Sequence, residues 1–410
     1  MRKSIVKAMS IATTVAAALV LPAQQQAPAT SPAPKLDVSL VKESKAAIQR
    51  AVNYLTDQQA KDGSWLKSPP VTGLAIMALA KSNAQANAAI REDAIKKGRE
   101  FILKHVQPSG AIYPKEEKDQ YPNYSTAICL CALATLNKPE DETVMRNARK
   151  YLMTSQVNEN FTVDGKPAPV NKDNPNFGGI GYGKEGPGNP DLSNTQWALE
   201  ALYMTDFLDS DTKAAGKDDK KKADMAWENA VIFLSRCQNV PESNDQTWVV
   251  KDKNDPNYGG FVYKTDDSKA GKDDKNQTLR SYGSMTYAGL KSMLYAKLGK
   301  DDPRIKAAIE WASKNYTLDE NPGMKAQGHY YYIHTFTKAL AVLGEDTLTT
   351  ADGKKQFWRA DVIRKLLSLQ RQNGEWFNEE GRWMESIPAL TTTYALMAME
   401  LALGPELYSK

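Results

Sequence analysis

The sequence predicts an all-α protein folded as an α6/α6 barrel, a double ring of six outer and six inner helices. Two observations support this fold class. Two different helical repeats alternate along residues 37–410, and the repeat assigned to the inner helices ends at its sixth copy. A count that stops at six favours a closed ring over an open solenoid, so we expect one α-α toroid domain over residues 37–410.

The inner-helix repeat begins with a threonine. An aliphatic or small residue follows four positions later, and a small and an apolar residue follow at six and seven positions. The small side chains and the near absence of charge predict helices that are buried on most sides and pack closely together. The threonines that begin the six copies are Thr72, Thr126, Thr195, Thr286, Thr335 and Thr392.

The outer-helix repeat lies on more charged, amphipathic segments, where an aromatic residue is followed five positions later by a glutamine. In a closed ring, every connection from an outer to an inner helix lies at one end. All six inner N-termini and their helix dipoles therefore surround a single mouth. The copies of this repeat are Tyr54/Gln59, Tyr151/Gln156 and Phe233/Gln238, with Lys365 in place of the aromatic residue before Gln370.

The two longest connections at this mouth, residues 156–191 and 238–281, share a motif of Asn or Asp, Pro, Asn, an aromatic residue and two glycines. The motif occurs within residues 174–182 and 255–263. Proline and paired glycines favour tight, defined turns. Because long ordered loops over a barrel mouth often carry function, we expect the functional surface here.

The N-terminal segment has the features of a secretory signal peptide. Arg2, Lys3 and Lys7 precede an apolar run that is too short for a comfortable membrane span, and Pro22-Ala23 follows it. We therefore expect a signal peptide over residues 1–23 and a flexible Ala/Gln/Pro-rich linker over residues 24–36. The protein is expected to be exported, to the periplasm or the extracellular space.

Composition narrows the classes of function. Removing the three signal-peptide cations from 53 basic residues leaves 50, against 49 acidic residues. Such a balance argues against nucleic-acid binding, which requires a clustered basic surplus. Three cysteines and three histidines without zinc-site spacing predict neither a disulfide framework nor a metal site. The Lys/Asp-rich stretches 208–224 and 264–277 are interpreted as solvated flaps, with calcium binding as the alternative.

The turns after the first and the last outer helix share the pattern Gln-x3-Gly-x-Trp, and a degenerate copy spans residues 107–113. Glutamine can cap the end of its helix, glycine makes the turn, and tryptophan stacks over it. These residues resemble the QW repeats of squalene–hopene and oxidosqualene cyclases and, more loosely, the β subunits of protein prenyltransferases. The residues of the two full copies are Gln59, Gly63, Trp65, Gln370, Gly374 and Trp376.

The resemblance covers most of residues 40–402 and matches one of the two α-barrel domains of a full cyclase. It implies a terpenoid-cyclase fold and an isoprenoid or other apolar ligand in a central cavity. In that family an Asp-x-Asp-Asp-Thr-Ala motif begins an inner helix, and its middle aspartate protonates the substrate. Aligning the threonine with Thr195 places Asp191 on the first aspartate, Ser193 on the middle one and Asn194 on the third.

A serine hydroxyl is far too weak an acid to protonate an alkene, so this chain lacks the usual proton donor. His334 precedes Thr335 as the ligand histidine of the prenyltransferases does, but no cysteine is placed to complete their zinc site. We therefore expect no cofactor and no metal. An active protein of this family would be a terpenoid-cyclase-like isomerase.

The candidate catalytic residues are Asp191, Ser193, Asn194 and His334. Asp191, Asn194 and His334 are expected to face the mouth. Helix capping is the alternative for Asp191, and a hydrogen-bonded structural role is the alternative for His334. Aromatic residues near the inner N-termini either line a ligand cavity, where they could stabilise a carbocation, or fill the barrel. They are Tyr124, Trp197, Tyr282, Tyr287, Tyr331, Phe336 and Tyr394.

Three classes of function follow. The first is an exported, cyclase-like protein that binds or transforms an isoprenoid or other apolar ligand, with peripheral membrane contact as a further expectation. The second is a carbohydrate-active lyase or glycosidase, for which Asp191 and Asp255 are the candidate carboxylate pair. The third is a non-catalytic interaction module that binds through its two long loops.

Overall fold

The computed structural model describes residues 34–115, 121–163, 166–183, 189–210 and 217–409. The predicted signal peptide and most of the predicted linker lie outside these ranges. The α-helices, in chain order, are α1 (Val38–Asp57), α2 (Pro69–Lys81), α3 (Ala88–Lys104), α4 (Pro122–Leu136), α5 (Glu142–Thr154), α6 (Leu192–Met204), α7 (Phe207–Ser210), α8 (Lys217–Arg236), α9 (Gly283–Tyr295), α10 (Pro303–Lys314), α11 (His329–Leu343), α12 (Trp358–Leu369) and α13 (Pro388–Leu403).

The remaining regular elements lie in the connections. Strands β1 (Thr162–Val163) and β2 (Lys166–Pro167) pair antiparallel, as do β3 (Leu348–Thr349) and β4 (Lys355–Gln356). Short 3-10 helices span Pro139–Asp141, Arg382–Met384 and Gly404–Tyr408. None of the described helices is long and apolar enough to span a membrane.

The inner helices α2, α4, α6, α9, α11 and α13 form a closed ring. Each packs on the next in this order, and α13 returns to α2. Helices α1, α3, α5, α8, α10 and α12 surround them. The predicted all-α double ring is therefore confirmed. Three inner helices, α2, α4 and α13, have a proline in the first turn, where the backbone amide would have no partner within the helix. Helix α4 is buried without interruption from Ser125 to Leu133.

In five of the outer-to-inner connections, a turn glycine packs against the next outer helix of the ring. Gly178 has a φ of +88°, and a Cβ there would lie 1.8 Å from the carbonyl oxygen of Asn229 in α8. Only glycine permits both this left-handed backbone and this close approach. The same arrangement, with φ between +86° and +92° and a helix carbonyl 2.1–2.5 Å from the added Cβ, occurs at Gly63, Gly110, Gly259 and Gly374.

The repeated glutamine reinforces this contact. Gln156 Nε2 donates to the Gly178 carbonyl at 3.0 Å and to the Ala226 carbonyl of α8 at 2.8 Å. Gln59, Gln238 and Gln370 make the matching pairs of bonds. The expectation that glutamine caps its own helix is therefore wrong, because it bridges the turn to the next helix.

The tryptophans of the two full motifs cap their own helices instead. Trp65 Nε1 donates to the Leu55 carbonyl near the end of α1, and Trp376 Nε1 donates to the Leu366 carbonyl near the end of α12, both at 2.8 Å. Both indole rings are fully buried. Each tryptophan thus adds a second hydrogen bond to a carbonyl that already accepts the amide of Gln58 or Gln370, and so ties the loop to the last turn of its helix.

The recurring threonine of the inner helix hydrogen-bonds to the same connection, two residues after the glycine. Ile180 N, two residues after Gly178, donates to Thr195 Oγ1 at 3.0 Å. Four more copies use the same bond, at 2.8–3.1 Å, whereas Thr335 bonds only to carbonyls of its own helix. The threonine therefore recurs because it holds the loop against the start of each inner helix. The other four acceptors are Thr72, Thr126, Thr286 and Thr392.

Replacing Gly178 with alanine tests the turn contact. Gly178→Ala should lower the free energy of unfolding by at least about 3 kcal/mol, because the methyl group would overlap a helix carbonyl. The matched control is Gly271→Ala, since Gly271 has a φ of +82° but no atom within 4 Å of its added Cβ. It should lose only about 1 kcal/mol from backbone strain. Equal losses in urea denaturation would show that the contact contributes nothing.

Candidate functional site

A groove of about 600 Å³ lies at the mouth of the barrel, between the start of α4, the end of α5 and the start of α6. The loop segments that follow α5 and α8 form its other walls. Both aromatic rings and charged groups line it. The aromatic residues are Tyr121, Tyr151, Phe161, Tyr182 and Tyr263, and the charged residues are Asp191, Lys264, Asp267 and Lys269.

Asp191 caps helix α6 and borders this groove. Its Oδ1 accepts a bond from Asn194 N at 2.8 Å, and its Oδ2 accepts one from Asn194 Nδ2 at 2.7 Å. The Tyr263 side chain also hydrogen-bonds to the carboxyl. Only 2% of Asp191 is exposed. Burial raises its pKa from 3.8 to about 6, although these hydrogen bonds act in the opposite direction. The predicted capping role is real, and it coincides with a perturbed acid.

Ser193 reaches the interior of the barrel, whereas the Asn194 side chain bonds to Asp191 at the start of α6. Ser193 Oγ lies 3.3 Å from the Tyr331 hydroxyl of α11. Asn194 is buried, and its Oδ1 has no hydrogen-bond partner among the described residues. Since α9 separates α6 from α11 in the ring, the contact between Ser193 and Tyr331 crosses the barrel interior.

His334 lies within an aromatic group in the same interior. Its ring stacks on Trp197 with centroids 5.9 Å apart and lies 5.6 Å from Tyr394. Neither ring nitrogen has a hydrogen-bond partner in the described part of the chain. Burial and then the nearby Lys338 ammonium lower the pKa of His334 well below its ordinary value, so the imidazole is neutral. The expected hydrogen-bonded structural histidine is not what the structure contains.

The predicted cavity aromatics separate into two sets. Tyr124, Trp197, Tyr331 and Tyr394 join His334 in the interior, where Tyr331 and Tyr394 have ring centroids 5.7 Å apart. Tyr282, the N-cap residue of α9, is buried. The others pack sideways and outward, since Tyr287 contacts Phe336 at 4.8 Å and Phe336 contacts Trp358 of outer helix α12 at 6.5 Å.

A buried ion network, which the sequence analysis missed, lies deeper in the barrel. Lys291 Nζ lies 2.5 Å from Glu200 Oε2, and Lys338 Nζ lies 2.5 Å from Glu200 Oε1. Glu200 and Lys291 have no exposed side-chain surface. Burial opposes ionisation of Glu200, but the two ammonium groups prevail and lower the pKa of the Glu200 carboxyl well below its ordinary value.

Hydrogen bonds connect this network to the mouth. Lys291 Nζ donates to Gln196 Oε1, and Gln196 Nε2 donates to the Tyr331 hydroxyl at 3.2 Å. Tyr331 in turn contacts Ser193 beside Asp191. A continuous polar chain therefore runs along the interior face of α6 from the mouth to the ion network.

One signal in the sequence indicates this network. Five of the six inner helices carry one formally charged residue each, despite their apolar composition. Glu200 and Lys291 both lie five positions after the repeated threonine, about 140° round the helix from it. Because that threonine faces the outer loop, these side chains face the interior. The five charged residues are Lys81, Glu200, Lys291, Lys338 and Glu400.

The remaining predictions concern Asp255, the two Lys/Asp-rich stretches and metal ligands. Asp255 does not line the groove with Asp191, because its Oδ1 accepts bonds from Asn257 N and Nδ2 in a local turn. The stretch 264–277 is not simply a solvated flap, since part of it lines the groove. Residues 217–224 belong to α8, and residues 211–216 lie outside the described ranges. Within those ranges, no three His, Cys, Asp or Glu side chains group as metal ligands.

No protein-family model and no curated protein matches this chain. Solved structures share its fold. A variant of the type II terpene cyclase MstE from Scytonema, in complex with the product merosterolic acid A, has a TM-score of 0.52 and 14% identity, covering 90% of this chain and 100% of that one. An inactive variant of the α-1,6-mannanase GH76A from a Salegentibacter species, in complex with α-1,6-mannotriose, has a TM-score of 0.55 and 12% identity, covering 88% and 99%. At such low identity these similarities establish the α/α toroid fold alone.

The pKa of Asp191 should appear in the pH dependence of stability. An acid whose pKa is 3.8 unfolded and about 6 folded takes up a proton on folding between these values. The wild type should therefore lose stability relative to Asp191→Asn as the pH rises from about 4 to about 7. Urea denaturation at several pH values measures this difference. Tyr263→Phe should extend the loss to higher pH, because it removes a hydrogen bond that favours the carboxylate. A pH-independent difference would contradict the assignment.

Glu200→Gln tests the ion network. It leaves two interior ammonium groups without a carboxylate and should reduce the free energy of unfolding by about 3–5 kcal/mol. The control is Glu310→Gln, which breaks an exposed pair with Lys314 at 2.7 Å on α10. That change should cost less than about 0.5 kcal/mol. Similar losses for the two variants, measured by urea denaturation, would be incompatible with a network that stabilises the barrel.

Proposed function

We propose that this protein binds a hydroxyl-rich, ring-shaped ligand of the carbohydrate class in the groove at the mouth, with the buried Asp191 carboxyl as its acid group. The observation that carries this proposal is the combination of exposed aromatic rings, an acid of raised pKa and paired charges in one groove. Binding sites for polar ligands typically combine apolar surfaces with a few convergent polar groups.

The exposed rings supply the apolar surface. Tyr121 and Tyr182 are 46% and 36% exposed, and their ring centroids lie 5.0 Å apart. Tyrosine offers a flat apolar face, which suits the C–H faces of a sugar ring. Lys269 lies over the Tyr263 ring at 4.4 Å and pairs with Asp267 at 2.6 Å, so charged donors and acceptors border the same surface.

The charges of the barrel interior disfavour a long hydrocarbon ligand there. A polyprene chain running along the interior would have to pass the wholly buried Lys291 and Glu200 and the unpaired nitrogens of His334. Apolar groups cannot hydrogen-bond to these atoms, and buried polar groups without partners are costly. A ligand with hydroxyl groups in the groove at the mouth would not have to pass these buried atoms.

Isoprenoid binding is the second candidate, and a specific observation favours it. Asp191 adjoins the aromatic group that includes Tyr124 and Tyr331, whose ring faces suit a cationic centre. The pKa of about 6 keeps part of this acid protonated near neutral pH. The Asp-first motif and the fold shared with the terpene cyclase MstE also support it. An active protein would then be an isomerase without the usual middle aspartate.

Both candidates would act outside the cytoplasm. This part of the proposal rests on residues 1–23, whose charged start and short apolar run have signal-peptide character. N-terminal sequencing of the protein recovered from outside the cytoplasm tests it, with a new terminus expected near Ala23. An intact Met1 on protein retained in the cytoplasm would contradict export.

A glycan array followed by calorimetry tests the carbohydrate proposal. The mature protein should bind at least one oligosaccharide, with α-1,6-mannotriose and cellotriose as the first probes in solution. Tyr182→Ala should weaken binding by about tenfold, because it removes a stacking face. Asp191→Asn should also weaken it. Tyr408→Ala, which removes an exposed ring near the C-terminus, should leave the affinity unchanged.

Two results would contradict the carbohydrate proposal. Absence of binding across the array would overturn the carbohydrate proposal. Binding of geranylgeraniol by the wild type, with loss in Asp191→Asn and no effect of Tyr182→Ala, would instead establish the isoprenoid candidate. Tyr182→Ala therefore distinguishes the two ligands, whereas Asp191→Asn should weaken the binding of either.

A further inference from the structure

The groove at the mouth contains two aspartates that come from separate elements of the chain. Asp191 lies at the start of α6, and Asp267 lies in the connection that follows α8. Both side chains belong to residues that line the same groove of about 600 Å³. Asp255, the partner expected for Asp191 from the sequence, is not among the lining residues. The structure therefore pairs Asp191 with a different aspartate of the same connection.

Backbone hydrogen bonds fix the position of Asp267 relative to helix α6. Leu192 N donates to the Tyr263 carbonyl at 2.8 Å, so the connection is attached to the first turn of α6. Lys264 and Asp267 then exchange backbone bonds of 3.1 and 3.3 Å in a tight turn. This turn returns Asp267 to a place beside Lys264, one residue from the point of attachment.

Buried side-chain contacts hold the turn in place. Thr265, within the turn, is 3% exposed. Its carbonyl accepts a bond from Trp248 Nε1 at 2.5 Å, and its Oγ1 donates to Asn176 Oδ1 at 3.0 Å. Since Asn176 belongs to the connection after α5, two connections share the support of this turn. The placement of Asp267 is thus part of the fold of the mouth.

Tyr263 and Lys269 link the two carboxyl groups through their side chains. The Tyr263 side chain hydrogen-bonds to the Asp191 carboxyl. Lys269 Nζ lies 4.4 Å from the centre of the Tyr263 ring and 2.6 Å from Asp267 Oδ2. The two carboxyl groups therefore border one tyrosine ring and one ammonium group in the same groove.

The two aspartates have opposite environments. Asp191 is 2% exposed, and burial raises its pKa to about 6, so part of it is protonated near neutral pH. The Asp267 side chain is 38% exposed and paired with an ammonium group. An exposed aspartate of this kind is a carboxylate at neutral pH. One groove thus holds a carboxyl group that can give a proton and another that can accept one, which is the combination that glycoside hydrolysis requires.

We propose that the groove hydrolyses a glycosidic bond of the carbohydrate that it binds, with Asp191 as the general acid and Asp267 as the general base. Asp191 gives its proton to the glycosidic oxygen as the bond from that oxygen to the anomeric carbon breaks. Asp267 takes a proton from the water whose oxygen attacks this carbon from the opposite face. One water is consumed, and proton exchange with solvent restores both side chains. This inference rests on the proposed carbohydrate ligand and adds an activity to it.

Incubation of the mature protein with the oligosaccharides that it binds, beginning with α-1,6-mannotriose and cellotriose, tests for hydrolysis. Anion-exchange chromatography should detect shorter sugars. Proton NMR should show inversion at the anomeric carbon, because water displaces the leaving group directly. Asp267→Asn and Asp191→Asn should each reduce the rate at saturating substrate by at least about 100-fold. Asp267→Asn should leave the affinity measured by calorimetry unchanged, since it removes the base and keeps the shape of the side chain.

Asp255→Asn is the matched control, because asparagine can still accept the turn bonds that Asp255 Oδ1 accepts outside the groove. It should hydrolyse as the wild type does. Binding without hydrolysis, retention of configuration, or an undiminished rate in Asp267→Asn overturns this inference and leaves carbohydrate binding intact. Absence of binding by the wild type overturns the proposed function as well. Thermal unfolding of each variant confirms that it is folded.

Discussion

The contact between a turn glycine and the carbonyl face of the next outer helix determines the geometry of the whole mouth. Five connections place a glycine with φ near +90° against that helix. Two residues later, a loop amide donates to the threonine of the following inner helix. Each connection is thereby attached to both rings at once. Because a single methyl group would break the approach, this contact sets how closely neighbouring repeats can pack.

The candidate site follows from the third of these connections. The bond from Ile180 to Thr195 brings Gly181 and Tyr182 beside the first turn of α6, where Asp191 caps the helix. The same carboxyl therefore satisfies helix amides and borders the groove. Its burial has an electrostatic cost, which appears as the raised pKa. A perturbed acid within a groove is a physical reason to place function there, beyond its role as a cap.

The barrel interior is unlike a simple apolar container. Aromatic rings occupy its upper part, and an ion network crosses it below, with a polar chain along α6 between the two levels. Such a network requires good geometry, since buried charges without partners destabilise a protein strongly. The two levels of the interior consequently offer different chemistry, with aromatic rings near the mouth and paired charges below them.

The repeat of threonine and small residues was sufficient to predict six inner helices, because burial on all sides leaves a strong local pattern. The position of Asp191 at a helix start was equally visible, since capping is a local property. The sequence alone could not decide which side chains meet across the barrel. Glu200 and Lys338 are far apart along the chain, and only ring closure joins them. Likewise, Tyr182 and Tyr263 come from different loops, and the groove exists because the folded rings place those loops side by side. Local periodicity therefore determined the helices and their caps. Packing across the ring determined the groove, the pKa of Asp191 and the pairing of the interior charges, because these depend on distances that no local pattern encodes.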